Sequence, residues 1–180
     1  MADEQTVDGA TKYARIALIA GLTYWTWQFA QTPLSADAME SFLHLPDLVF
    51  HEAGHLIFSP LGQFMAVLGG SLMQVLIPVV CAIAFVRQAQ PFGAAICVWW
   101  AGQNLVDLAP YIADARSLQL PLLGGGTGAE VEGHDWEFIL TRLGVIHLDA
   151  ALGRTAHALG MVVMFGSLLF AVRTVLRKSE

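Results

Sequence analysis

The sequence predicts an all-α, polytopic membrane protein, and three observations lead there. The 180-residue chain is 56% hydrophobic and only 13% charged, where a soluble domain carries about 25% charged residues. Its mean hydropathy is +0.58, more apolar surface than one soluble core of this length can hide. The apolar residues also fall into five runs of roughly span length, parted by short stretches rich in Gly, Pro and charge. A single membrane-embedded domain over residues 1–180, with four to five transmembrane or re-entrant helices, is the expected architecture.

The first run, Tyr13 to Ala30, follows an acidic head (Asp3, Glu4, Asp8) and ends among Tyr24, Trp25 and Trp27, aromatics that suit a membrane interface. A secretory signal peptide opens on a positively charged region, and this head is acidic, so the run reads as a retained span. The second, Phe42 to Phe58, is short and carries His44, Asp47, His51, Glu52 and His55. Pro46 is expected to kink it, and a broken or re-entrant helix buried among the others fits its polarity. The third, Phe64 to Val86, and the fifth, about residues 152–176, meet the ~20-residue requirement of a span. The fourth, Phe92 to Ala113, nearly does, and contains Trp99 and Trp100.

Between the fourth and fifth runs lies an outer loop, residues 115–150. It holds Leu123-Gly124-Gly125-Gly126-Thr127-Gly128, then Glu130, Glu132, His134, Asp135 and Glu137. Its amphipathic piece, Trp136 to Leu143, is expected to lie on the membrane surface or to cap a site. Basic residues set the orientation. Arg87 and the cluster Arg173, Arg177 and Lys178 place the C-terminus in the cytoplasm and the outer loop opposite, in a bacterial inner membrane. The net charge of −6 offers no surface for nucleic acid. The glycine run lacks the Gly-Lys-Ser/Thr of a phosphate loop, which excludes that route to nucleotide binding. Cys81 and Cys97 both lie in apolar runs and read as small buried hydrophobes.

One string carries chemistry: His51-Glu52-Ala53-Gly54-His55. On a helix the histidines stand at i and i+4, one turn apart on one face, in reach of a single metal ion. Glu52 beside them can act as a general base on water, the HExxH arrangement of zinc hydrolases. Imidazole suits Zn2+, and hydrolysis needs no redox metal. An unpartnered Glu52 in an apolar run would cost several kcal/mol, so an intramembrane acid points to function.

A catalytic zinc needs a third protein ligand. Asn104, Asp107, Tyr111 and Asp114 follow at spacings of 3, 4 and 3 on one helical stripe. Asp114 is the first choice, although it could instead mark the membrane exit and cap the following turn. Asp107 is an alternate, and so are His134 and Asp135 in the outer loop, which could fold back over the site. Asp47, four residues before His51, could hydrogen-bond a ligand imidazole. His44 reads as interfacial, and His147 and His157 as structural. Gly69-Gly70-Ser71 would let the third helix approach the metal helix closely, with Gln74 helping to hold an extended substrate.

These residues resemble the site-2 protease family of intramembrane zinc metalloproteases. His51-Glu52-Ala53-Gly54-His55 looks like that family's HExGH helix. Gly69 to Gln74 resembles its small-residue stretch, and Asn104 to Ala115 its asparagine-proline-aspartate segment. The likeness spans a metalloprotease-like core of about residues 42–115. It implies zinc on His51, His55 and Asp114, Glu52 as general base, and Asn104 on the substrate. The expected activity is peptide-bond hydrolysis in or near the bilayer, on a transmembrane or membrane-proximal segment. Zinc-dependent hydrolysis of a lipid amide or ester, and non-catalytic metal binding, are the alternatives.

Overall fold

A computed structural model of the chain describes residues 2–32, 34, 41–123 and 125–177, apart from the side chains of 2–8 and 177. Gly124 and Lys178 lie outside the described residues, as do the side chains of Asp3, Glu4, Asp8 and Arg177. Among the described residues, the fold has six α-helices and two short 3-10 turns: α1 Ala2–Gln31, α2 His44–Phe58, α3 Gln63–Arg87, α4 Pro91–Ala113, α5 Asp135–Arg142 and α6 Asp149–Arg177. The described residues form no strand, only a single bridge between Pro121 and Thr127.

The helices follow the apolar runs closely. The main departure is α1, which takes in the acidic head as its first turns. Pro46 falls in the first turn of α2, where a missing N–H goes unused, so no kink results. The amphipathic piece of the outer loop is α5, and it starts one residue before Trp136. Among the described residues, two helical stretches, Gln63–Arg87 and Ile146–Leu176, are long and apolar enough to cross a membrane. At about 1.5 Å per residue, the 15 residues of α2 fall well short of the ~30 Å hydrocarbon layer.

Helix α4 is the hub, packing along α6 on one side and α3 on the other, while α2 lies against α3 and α1 against α6. The α1–α4–α6 core joins Leu22, Phe29, Trp99, Val106, Met164 and Leu168. Close approach depends on small residues. A Cβ on Gly102 would sit 2.9 Å from the Gly160 carbonyl oxygen, and one on Gly153 2.6 Å from that of Ala109. A Cβ on Gly69 of α3 would likewise sit 2.7 Å from the Gly54 carbonyl oxygen of α2. Against the start of α3, Phe64, Val67 and Leu68 pack with Ile139 and Leu140, which seats α5 there.

Beside the apolar core, several polar side chains are buried while many large apolar ones face outward. Asp47, Gln103 and Asn104 are fully buried, whereas Leu56, Val162 and Leu169 are each at least 70% exposed. Exposed Leu76, Val80, Ile83 and Val86 continue the apolar outer face along α3. Cys97 is buried and Cys81 half-buried, and neither forms a disulfide.

Candidate metal centre

The helical register of α2 brings the His51 and His55 rings to 4.9 Å between centroids, nearly edge to face. Each ring has its Nδ1 committed to α3. His55 Nδ1–H donates to the Ala66 carbonyl at 2.9 Å, and a carbonyl can only accept, so this proton is required. His51 Nδ1–H donates to Gln74 Oε1 at 2.9 Å. Both Nε2 atoms are therefore turned away from α3, and both face the same point.

Asp135 stands at that point. Its Oδ2 lies 2.8 Å from His51 Nε2 and 3.3 Å from His55 Nε2. Without a metal the carboxylate accepts from the imidazole N–H, and the same three atoms stand at separations that would also suit a metal ion. Donors around a tetrahedral zinc with bonds of about 2.0–2.1 Å are separated by about 3.3 Å. Gly70 keeps the space clear: a Cβ there would sit 2.6 Å from His51 Nε2 and 2.7 Å from His55 Cε1. His51, Glu52 and His55 also form a group able to hold a metal ion, each offering an atom within 4.8 Å of the others.

Asp135 is held from both sides. It is the first residue of α5, and its backbone N–H donates to Tyr111 Oη on α4 at 2.9 Å. His134 caps α5, its Nδ1 accepting the Glu137 N–H at 3.1 Å, and its ring stacks on Tyr111 at 4.4 Å. Burial pushes the His134 imidazole below its ordinary pKa, against the pull of Asp114 and Asp135. Burial also pushes the Asp135 carboxyl up, but its contacts with His51 and His55 outweigh this and hold it below the ordinary range.

The other sequence-predicted residues take different places. Asp114 does not reach the histidines. Its carboxylate accepts from Ser117 Oγ at 2.6 Å and from the N–H groups of Gln119 and Leu120 at 3.0 Å each. It is the C-terminal cap of α4, and it braces a turn in which Leu118 adopts φ +53°, a conformation costing a non-glycine residue about 1–2 kcal/mol. His134 Nε2 lies 3.5 Å from Asp114 Oδ2, too far for a directed hydrogen bond. Asp107 accepts from Gln74 Nε2 at 2.9 Å and from His44 Nδ1 at 3.0 Å, so it stands one residue behind the histidines. Asp47 accepts from Trp100 Nε1 at 2.7 Å and makes no hydrogen bond to an imidazole; Gln74 orients His51 instead. Asn104 donates to the Trp100 carbonyl at 2.9 Å and does not line the cavity described next. His157 bonds the Phe29 carbonyl at 3.1 Å, a structural contact.

A cavity of about 770 Å³ opens onto the cluster. Glu52, exposed within it, lines the floor beside the histidines, and His44, Asp107 and Tyr111 line it too. Its walls are Leu48 and Leu108 from the helices and Leu120, Leu122, Leu123 and Val131 from the outer loop. The Ala66 carbonyl and these loop leucines had no signal in the sequence, the first because it is backbone and the second because apolar loop residues belong to no motif. No protein-family model, curated protein or solved structure matches the chain.

Proposed function

We propose that this chain is a membrane-embedded, zinc-dependent hydrolase, read most directly as a metallopeptidase. The observation that carries the proposal is the convergence of His51 Nε2, His55 Nε2 and Asp135 Oδ2 on one point beside Glu52. His51, His55 and Asp135 would hold the metal. Three protein ligands and an open fourth position are the pattern of catalytic rather than structural zinc. Zinc bound there would supply Lewis acidity, polarising a carbonyl and acidifying water. Glu52 has no hydrogen-bond partner among the described residues and faces the cavity, free to take a proton from water and return it to a leaving amine. Tyr111 and His134 hold Asp135 in place, and Gln74 and Ala66 hold the imidazoles.

The apolar cavity walls suit an apolar peptide segment drawn from the bilayer or its surface. The same walls favour a second reading, an amide or ester on a lipid chain. Exposure of Glu52 to the cavity speaks against a closed, purely metal-storing site. The apolar outer faces of α3 and α6, with polar residues turned inward, support residence in a bilayer with four or five helices embedded. The outer loop would then lie on the side opposite a cytoplasmic C-terminus, in a bacterial inner membrane.

Elemental analysis of the detergent-purified chain tests the centre. About one zinc per chain is expected, lost in His51→Ala, His55→Ala and Asp135→Ala and kept in Glu52→Gln and Asp114→Ala. With a transmembrane reporter peptide, Glu52→Gln should lower turnover by about 10²–10⁴-fold. A wild type without metal, or Glu52→Gln with full turnover, would overturn the reading. Release of fatty acid from lipid with no peptide cleaved would select the lipid substrate.

A further inference from the structure

Three helices meet in one buried polar chain behind the metal centre. His51 on α2 donates to Gln74 Oε1 on α3, Gln74 Nε2 donates to Asp107 Oδ2 on α4, and His44 Nδ1 lies 3.0 Å from both Asp107 oxygens. His51, Gln74 and Asp107 are 7%, 2% and 4% exposed. Burying an amide and a carboxylate among apolar helices is costly unless each finds partners, and here each partner comes from a different helix.

The direction of every bond follows from one end. A carboxylate only accepts. Asp107 therefore makes Gln74 present its NH₂ group to α4 and its oxygen to α2. That oxygen requires a proton on His51 Nδ1, so a metal ion can be taken only on Nε2, which faces Asp135 and His55. With the amide turned over, its oxygen would meet the Asp107 carboxylate. Its NH₂ would meet His51 Nδ1 and drive the ring proton to Nε2, where it would block a metal ion. His55 needs no such chain, because a backbone carbonyl fixes its tautomer directly.

We propose that Asp107, acting through Gln74, is the positioning residue that makes His51 a metal ligand, with His44 holding the Asp107 carboxylate in place. The inference rests on the reading of His51 as a ligand and assigns the residues that keep it one. Partners of this kind fix ring orientation and basicity, and their loss typically weakens metal binding 10–100-fold.

The test uses the full chain in detergent, with zinc affinity measured by competition against a chromogenic chelator. Gln74→Met keeps the volume but removes the acceptor, and Asp107→Leu removes the reference charge. Each should weaken zinc about 10–100-fold. Gln74→Glu, which can share a proton with Asp107 and still accept from His51, should restore most of the loss. Equal affinity in all three variants would overturn the proposal.

A second measurement needs no metal. In the histidine-¹⁵N-labelled, metal-free Asp135→Ala chain, at a pH where the ring is neutral, the nitrogen shifts of His51 should report the Nδ1–H tautomer. Adding Gln74→Met should release it toward Nε2–H. An Nε2–H tautomer with Gln74 and Asp107 intact would sink the proposal even if zinc binds. Conversely, a wild type that binds no zinc would defeat the metal centre, while the tautomer result would still decide the role of Asp107.

Discussion

At the α4–α6 crossing, Gly102 meets the Gly160 backbone and Gly153 meets Ala109; at the α2–α3 crossing, Gly54 meets Gly69. The two crossings use small residues in the same way but are surrounded differently. Around Gly102 and Gly160 stand Val106, Val163 and Met164, so close approach there yields dispersion contacts and nothing else. One residue beyond Gly69, Gly70 lies under the two imidazoles. There the missing side chain leaves room for a cation as well as for the neighbouring helix. A glycine at a helix crossing is thus read from its surroundings: apolar neighbours indicate adhesion, and polar rings indicate a site.

Substitutions can break this comparison. The largest effect is expected from Gly70→Ala, whose methyl group would enter the space between the rings. Zinc affinity should fall by about 100-fold, the upper end for changes that misplace ligands, while thermal unfolding shifts little because the rings can swing aside. Equal losses of affinity and stability would show that Gly70 serves packing alone. Gly160→Ala should do the reverse. Its Cβ would press on the Gly102 carbonyl and Val106, and overpacking costs typically about 1–3 kcal/mol. Unfolding in detergent should occur at lower temperature, with zinc content unchanged.

A smaller effect separates the two aspartates that border the outer loop. Asp114→Ala leaves the donors of Ser117, Gln119 and Leu120 without their acceptor, a loss of about 0.5–1.5 kcal/mol, because Ser117 and Gln119 are exposed and water can replace the carboxylate. The loop from Leu118 to Val131 should become more sensitive to protease, with the metal retained. Asp135→Ala should lose the metal and leave the α4–α6 crossing untouched. Loss of metal in Asp114→Ala with the loop still protected would return Asp114 to the ligand set.

Much of the site was legible in the sequence, because His51, Glu52 and His55 are related by helical spacing alone. The helices were legible too, since apolar runs of about 20 residues, too long for strands and bounded by Gly, Pro and charge, read as helices. The third partner was not. The stripe Asn104–Asp107–Tyr111–Asp114 assumes that the helix runs on, but α4 ends at Ala113, and Asp114 turns away to cap it. Asp107 stays on the stripe, yet Gln74 from α3 reaches it first. Asp47 has the right spacing to touch His51, but the Trp100 indole lies nearer its carboxylate. The His134-Asp135 pair carried the needed signal, an acid and an imidazole after a glycine-rich stretch, without a spacing that could rank it.

What the sequence determined by itself is local: an all-helical chain with apolar runs, and two histidines and a glutamate on one turn. Each of these follows from periodicity, and helical geometry converts periodicity directly into position. Only the tertiary structure decided which of four aspartates meets the histidines and which group each ring nitrogen meets. Those choices depend on hydrogen bonds between residues 11 to 84 positions apart. No local rule relates such positions until α3, α4 and the outer loop have packed around α2.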